Sequence, residues 1–203
     1  MKLLDILLFP KSLYRRVTDK KLTLFLGIIL IGIVDVGFPL SETFSKNFIG
    51  KTHNDLVFNI VFASVVAILF GVVDALFFAK PLVDLFKLFK KKGIVIDKHG
   101  QMIKVMKVYM LSHLLIIPLN VIAYAVMYNV KLDNHVILAF LIFTYSSVMP
   151  IWFAAAITRG TNVIYDFEPL FMRLAFVAIF IWNMLISFAF DFMYSHWIIG
   201  FLK

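Results

Sequence analysis

The stretch KPLVDLFKLFKKKGIVIDKHGQMIKVMK, Lys80–Lys107, decides the fold. It holds Lys80, Lys87, Lys90, Lys91, Lys92, Lys98, Lys104 and Lys107 against Asp84 and Asp97 alone, and long apolar runs lie on both sides of it. A segment this basic stays on the cytoplasmic face of a membrane, because carrying so many charges across the bilayer is prohibitive during insertion. The side of every other loop follows from that one.

Working outward, the apolar runs lie at about 22–40, 56–79, 105–128, 136–157 and 170–190. Each is close to the ~20 residues that cross the hydrocarbon. The 203 residues are 62% hydrophobic. Soluble domains hold roughly 45–50% apolar residues, so the excess needs a non-aqueous solvent. With mean hydropathy +0.95 and no linker between the runs, the expected fold is all-α: one polytopic membrane domain, residues 22–203, forming a five-helix bundle. Pro118 and Pro150 fall inside spans and read as kinks, since neighbouring helices re-satisfy the freed carbonyls.

The flanking charges set the orientation. Six Lys/Arg precede the first span, eight sit in the quoted stretch, and Arg159 and Arg173 flank the loop after span four. On the other side are Lys46, Lys51, Lys131 and Lys203. Sixteen against four among the 20 Lys and Arg predicts N-inside and C-outside. Residues 1–21 read as a basic interfacial segment, in which Pro10 opens a helix with Leu13, Tyr14 and Val17 on one face. Residues 80–92 read as a second interfacial helix, with Leu82, Leu85, Phe86 and Phe89 at helical spacing.

The net charge of +8 flanks spans, which points to anionic lipid headgroups as partners and away from nucleic acid. The residues expected to bind lipid or a protein partner are Arg15, Arg16, Lys80, Lys87, Lys90, Lys91 and Lys92. Without a cysteine there is no disulfide, thiolate metal site or cysteine nucleophile. No GxSxG, HExxH or glycine-rich phosphate loop occurs, and His53, His99, His135 and His196 are scattered. No enzyme, cofactor or metal site is expected.

Ionisable groups at membrane depth cost ~2.5–3.5 kcal/mol each and need a reason. Asp35 and Asp74 lie in similar strings, GIVDVGF (Gly32–Phe38) and GVVDALF (Gly71–Phe77). Counted from span boundaries at 22 and 79, their depths differ by roughly 12 Å, which predicts that they do not form one site. Asp35, Asn120 and Asn183 fall at a common depth of very roughly 20 Å, with Ser146 and Ser147 nearby. They form either a midplane site for a cation or proton, or interhelical hydrogen bonds that hold the bundle together. His113 lies at the depth of Asp74 and could relay protons with it; the plainer expectation pairs Asp74 with Lys104 or Lys107. Gly27, Gly32 and Gly37 recur every five residues, which holds no single helical face.

The chain resembles the Yip-domain family of five-span proteins, named for interaction with Rab/Ypt GTPases. The resemblance rests on FPKSLYRRVTDKKLTLFLGIILIGIV (Phe9–Val34), on HGQMIKVMKVYMLSHLLIIPLNVI (His99–Ile122), and on the span kinked at Pro150 with its polar loop. It implies an N-inside five-helix bundle. Eukaryotic members belong to Golgi and vesicle membranes and to trafficking. With some twenty residues before its first span, this chain resembles a short prokaryotic member of the bacterial plasma membrane. The expected function is non-enzymatic: organising lipid or protein partners through the basic cytoplasmic face, alone or as a homo-oligomer. The alternative is a small transporter or channel for a cation, proton or small solute, with its polar site at the midplane.

Overall fold

The computed structural model describes residues 5, 7–89, 98–129 and 136–202. They form helices α1 (Lys11–Arg15), α2 (Lys21–Glu42), α3 (Phe44–Phe48), α4 (His53–Phe89), α5 (Lys98–Asn129), α6 (Val136–Tyr165) and α7 (Pro169–Met193). A π-helical turn, Tyr194–Ile198, and a 3-10 turn, Ile199–Phe201, extend α7. The described residues contain no strand. Long apolar runs in a lipid solvent leave the backbone only intrasegment partners, and the helix supplies them. Four helical segments among the described residues are long and apolar enough to cross a membrane: His53–Phe89, Gly100–Ala123, Ala139–Tyr165 and Pro169–Phe201. Their most apolar windows are only 22–44% buried. Val136, Ile137 and Leu22 point outward at 85%, 78% and 76% exposure. An outward apolar surface of that extent belongs against hydrocarbon.

Helices α2 and α4 are antiparallel, joined through α3, and pack more extensively than any other pair. Two glycines let them approach. A Cβ on Gly32 would stand 1.7 Å from the Ala67 carbonyl oxygen, and one on Gly71 would stand 2.1 Å from that of Ile28. Around this crossing, α5 contacts both α2 and α4, α6 contacts α5, and α7 contacts α6 and α4. The core stacks Phe78 on Tyr109 at 3.8 Å between ring centroids. At the basic end, Phe86 meets Tyr165 and Phe167 edge-on, closing the ends of α4 and α6 against the start of α7.

The expected interfacial helix at 80–92 is not a separate element. Helix α4 runs unbroken through Pro81 to Phe89; residues 90–97 lie outside the described part. Proline has no N–H for the carbonyl four residues back. That carbonyl, on Phe77, instead accepts from the Trp182 indole at 3.0 Å. Leu82, Val83 and Phe86 are then buried in the core, so the helix has reason to continue. Span four also runs past its expected end at 157, and α6 reaches Tyr165.

The N-terminal segment is likewise bound to the bundle. Only Lys11–Arg15 are helical beyond Pro10. Tyr14 is 1% exposed, and its ring sits where Gly160 leaves room, since a Cβ there would lie 2.8 Å from it. Tyr14 donates to the Leu8 carbonyl at 3.1 Å, Trp152 to that of Leu7 at 2.6 Å, and Lys107 to that of Thr18 at 2.6 Å. Arg159 pairs with Asp5. The segment is a strap across the basic end, tied down at several points.

Candidate cation site

The Gly32–Gly71 crossing carries the chemistry. An aspartate follows each glycine by three residues, Asp35 on α2 and Asp74 on α4. Three residues is close to one helical turn, so each carboxylate lies just beyond the contact on the glycine face. One donor atom each from Asp35, Asp74 and His113 of α5 lies within 4.8 Å of the others. The expectation that the aspartates form no common site is therefore overturned. The depth count began at residue 79, whereas the helix ends at Phe89. Counted from there, Asp74 stands ~22 Å up α4, and Asp35 stands ~21 Å up α2.

Asp74 and His113 are held in place. Tyr109 donates from its hydroxyl to Asp74 Oδ2 at 2.7 Å. One turn on, the His113 ring is clamped edge-on by Tyr109 at 4.4 Å and Phe153 at 4.7 Å. His113 Nδ1 lies 3.1 Å from the Tyr109 carbonyl oxygen. A carbonyl can only accept, so Nδ1 carries the proton and Nε2 keeps its lone pair. Asp74 is 2% exposed, yet among the described residues its Oδ1 has no hydrogen-bond partner, and neither has the buried Oδ2 of Asp35. Two carboxylate oxygens thus face the bundle interior without a donor. The expected ion pair with Lys107 is not made, because that ammonium serves the Thr18 carbonyl at the strap.

The three residues line a cavity of about 360 Å³ with Tyr109, Asn120, Ser146, Asn183 and Asp191. Asn120 accepts from Tyr145 across the α5–α6 contact. Of the two serines at this depth, Ser146 faces the cavity while Ser147 bonds back to Phe143 of its own helix at 2.9 Å. Pro39 and Pro150 also line it. Lacking an N–H, they release the carbonyls four residues earlier, which belong to Asp35 and Ser146. Both freed acceptors thus belong to residues that themselves line the cavity. Tyr109, Asp191 and Pro39 escaped the reading of the sequence. The available signal was Tyr109 and His113 at i, i+4 on one face.

Among the described residues, the basic side chains converge on no comparable centre. Arg15, Arg16 and Lys80 are exposed. Lys87 pairs with Asp84 at 2.7 Å. Lys90, Lys91 and Lys92 lie outside the described residues. Three other cations, Lys11, Arg159 and Arg173, line a groove with Phe176 and Val177. No family model, curated protein or solved structure matches the chain.

Proposed function

We propose that this chain is a small membrane transporter or channel that takes a cation into the bundle at Asp35, Asp74 and His113. The observation that carries the reading is a pair of carboxylates, Asp74 buried and Asp35 half-buried, each with a buried unpartnered oxygen, close to each other and to an imidazole in one cavity. Ionisable groups at membrane depth mark ion and proton pathways. Interhelical bonding alone explains the Asn120–Tyr145 contact, but not oxygens left without donors. In this proposal α2, 22 residues long, is the fifth span. The basic end faces the cytoplasm, supported by the Lys/Arg asymmetry and by the Yip-domain resemblance, which also suggests a prokaryotic plasma membrane.

Flux through proteoliposomes tests it. Vesicles loaded with a pH-sensitive dye, or with one sensitive to divalent metal, should respond to an imposed gradient, and Asp35→Asn should remove the response. Leakage equal to that of empty vesicles, or an unaltered Asp35→Asn response, would end the reading. Because the chain has no cysteine, Ser45→Cys and Asp166→Cys can be labelled separately. They should react from opposite sides of the membrane.

The groove at Lys11, Arg159 and Arg173 favours a second role alongside the first. Its cations share the groove with the apolar Phe176 and Val177, a combination that suits the phosphate and acyl chain of an anionic lipid. Charge removal at Lys11 and Arg173 should lower retention of anionic over zwitterionic lipid in native mass spectra. Equal retention would count against it.

A further inference from the structure

We propose that Asp35, Asp74 and His113 bind a divalent transition-metal ion of the manganese-to-zinc series, carried as cargo. The inference names the cation of the transfer reading and rests on that reading for the ion's role as cargo; the binding itself stands on geometry.

Charge comes first. With both carboxyls deprotonated, Asp35 and Asp74 beside a neutral imidazole would present two negative charges in a low-dielectric interior, where an uncompensated charge is costly. A divalent ion brings the complex to neutrality, whereas a monovalent ion leaves one charge over. Donor chemistry narrows the choice. Imidazole nitrogen suits zinc, iron, nickel and their neighbours, whereas calcium and magnesium favour oxygen throughout. With no cysteine in the chain, there is no thiolate to attract the softer ions.

The geometry is that of a supported ligand set. Metal-bound histidines generally donate their other ring N–H to a carbonyl or carboxylate, and His113 does so to the Tyr109 carbonyl at 3.1 Å. The hydroxyl of the same tyrosine holds Asp74 Oδ2 at 2.7 Å. One residue therefore orients two ligands on two helices and leaves Asp74 Oδ1 unpartnered. Donors around tetrahedral zinc stand about 3.4 Å apart, given bonds of ~2.0–2.2 Å. The present separations, within 4.8 Å, would have to close by up to about 1.4 Å on binding. Three protein ligands leave coordination positions open. The cavity of about 360 Å³ has room for several waters at ~30 Å³ each, and an ion held this way can be handed on.

The test uses the full-length chain in detergent, stripped with a chelator. Co²⁺ is titrated while its visible absorption is recorded, and Zn²⁺ binding is measured by equilibrium dialysis with elemental analysis. One ion per chain is expected. Asp35→Asn and Asp74→Asn should each weaken binding roughly 100-fold or more, beyond the ~10–100-fold range of outer-shell changes. A hundredfold excess of Ca²⁺ or Mg²⁺ should displace neither ion. Tyr109→Phe keeps the aromatic core and should cost roughly 10-fold, so the claim stays testable if an aspartate variant does not fold. Absence of saturable binding would overturn the proposal, as would binding indifferent to Asp74→Asn and Tyr109→Phe, or displacement by Ca²⁺ at parity. Zn²⁺ binding without flux would remove the transport role and leave the site. Asp35-dependent proton flux without Zn²⁺ or Co²⁺ binding would do the reverse.

Discussion

Asp74 and Asp84 lie on the same helix, ten residues apart, and live in opposite worlds. Asp84 sits at the basic rim, half-exposed, in an i, i+3 pair with Lys87 at 2.7 Å. Asp74 is 2% exposed, takes one hydrogen bond from Tyr109, and keeps an oxygen with no partner. Rim pairs of the first kind contribute ~0.2–1 kcal/mol, since water competes for both ions. A buried carboxylate without a counter-ion is instead a standing cost. The same side chain is incidental in one place and decisive in the other, and what differs is the solvent around it.

The comparison breaks most completely at the glycine crossing. Gly71→Val should force α2 and α4 apart, because the clashing atom is the Ile28 backbone oxygen and not a movable side chain. Overpacking of this kind costs ~3 kcal/mol or more. Thermal unfolding in detergent should show a large drop in Tm, together with loss of Zn²⁺ binding. A variant with wild-type Tm would mean that the close approach is not needed.

Asp74→Asn separates function from stability. It should abolish flux, yet raise the metal-free Tm by ~2–4 °C, corresponding to ~1 kcal/mol of relieved burial. Excess Zn²⁺ should reverse the ranking, since an ion that binds only the folded wild type stabilises it by mass action. A lower metal-free Tm for the variant would show that the carboxylate is already compensated.

At the strap, burial pushes the Tyr14 hydroxyl up from 10.0 to about 12. The folded state then keeps a proton that the unfolded state gives up above pH 10. The stabilisation is complete below pH 10 and is lost as pH rises toward 12. Limited proteolysis around Leu8 should accelerate across that window. Tyr14→Phe keeps the ring, gives up a hydrogen bond worth ~1 kcal/mol, and should flatten the alkaline response. An unchanged alkaline limb would place the pH effect elsewhere.

The smallest effect belongs to Asp84→Asn. Tm should move by less than about 0.5 kcal/mol equivalent, with flux and metal binding unaltered. A flux defect at Asp84 would erase the contrast between rim and interior.

Much of the cavity could be read by counting residues along spans. Rise per residue alone puts Asp35, Asn120 and Asn183 at one level with Ser146 and Ser147 nearby, and all but Ser147 line it. Asp74, which the same count places with His113 and roughly 12 Å from Asp35, falls at the wrong level because Lys80 and Pro81 look like an ending. The tertiary fold cancels that signal, with Trp182 taking the freed Phe77 carbonyl. The five-residue spacing of Gly27, Gly32 and Gly37 concealed a real contact for the same reason. Gly32 needs no periodic partner on its own helix, because its partner is Gly71 on another.

From the sequence by itself came the helical class, the apolar segments and the segregation of basic residues, because each depends on composition over about twenty neighbouring residues. Tertiary structure alone decided that Asp35, Asp74 and His113 share one centre, that Lys107 serves the strap, and that Tyr109 bonds both Asp74 and His113. Those outcomes depend on where a helix truly ends and on which face it turns inward. Both are set by close contacts between residues distant in the chain, where an error of one turn moves a side chain by about 5.4 Å.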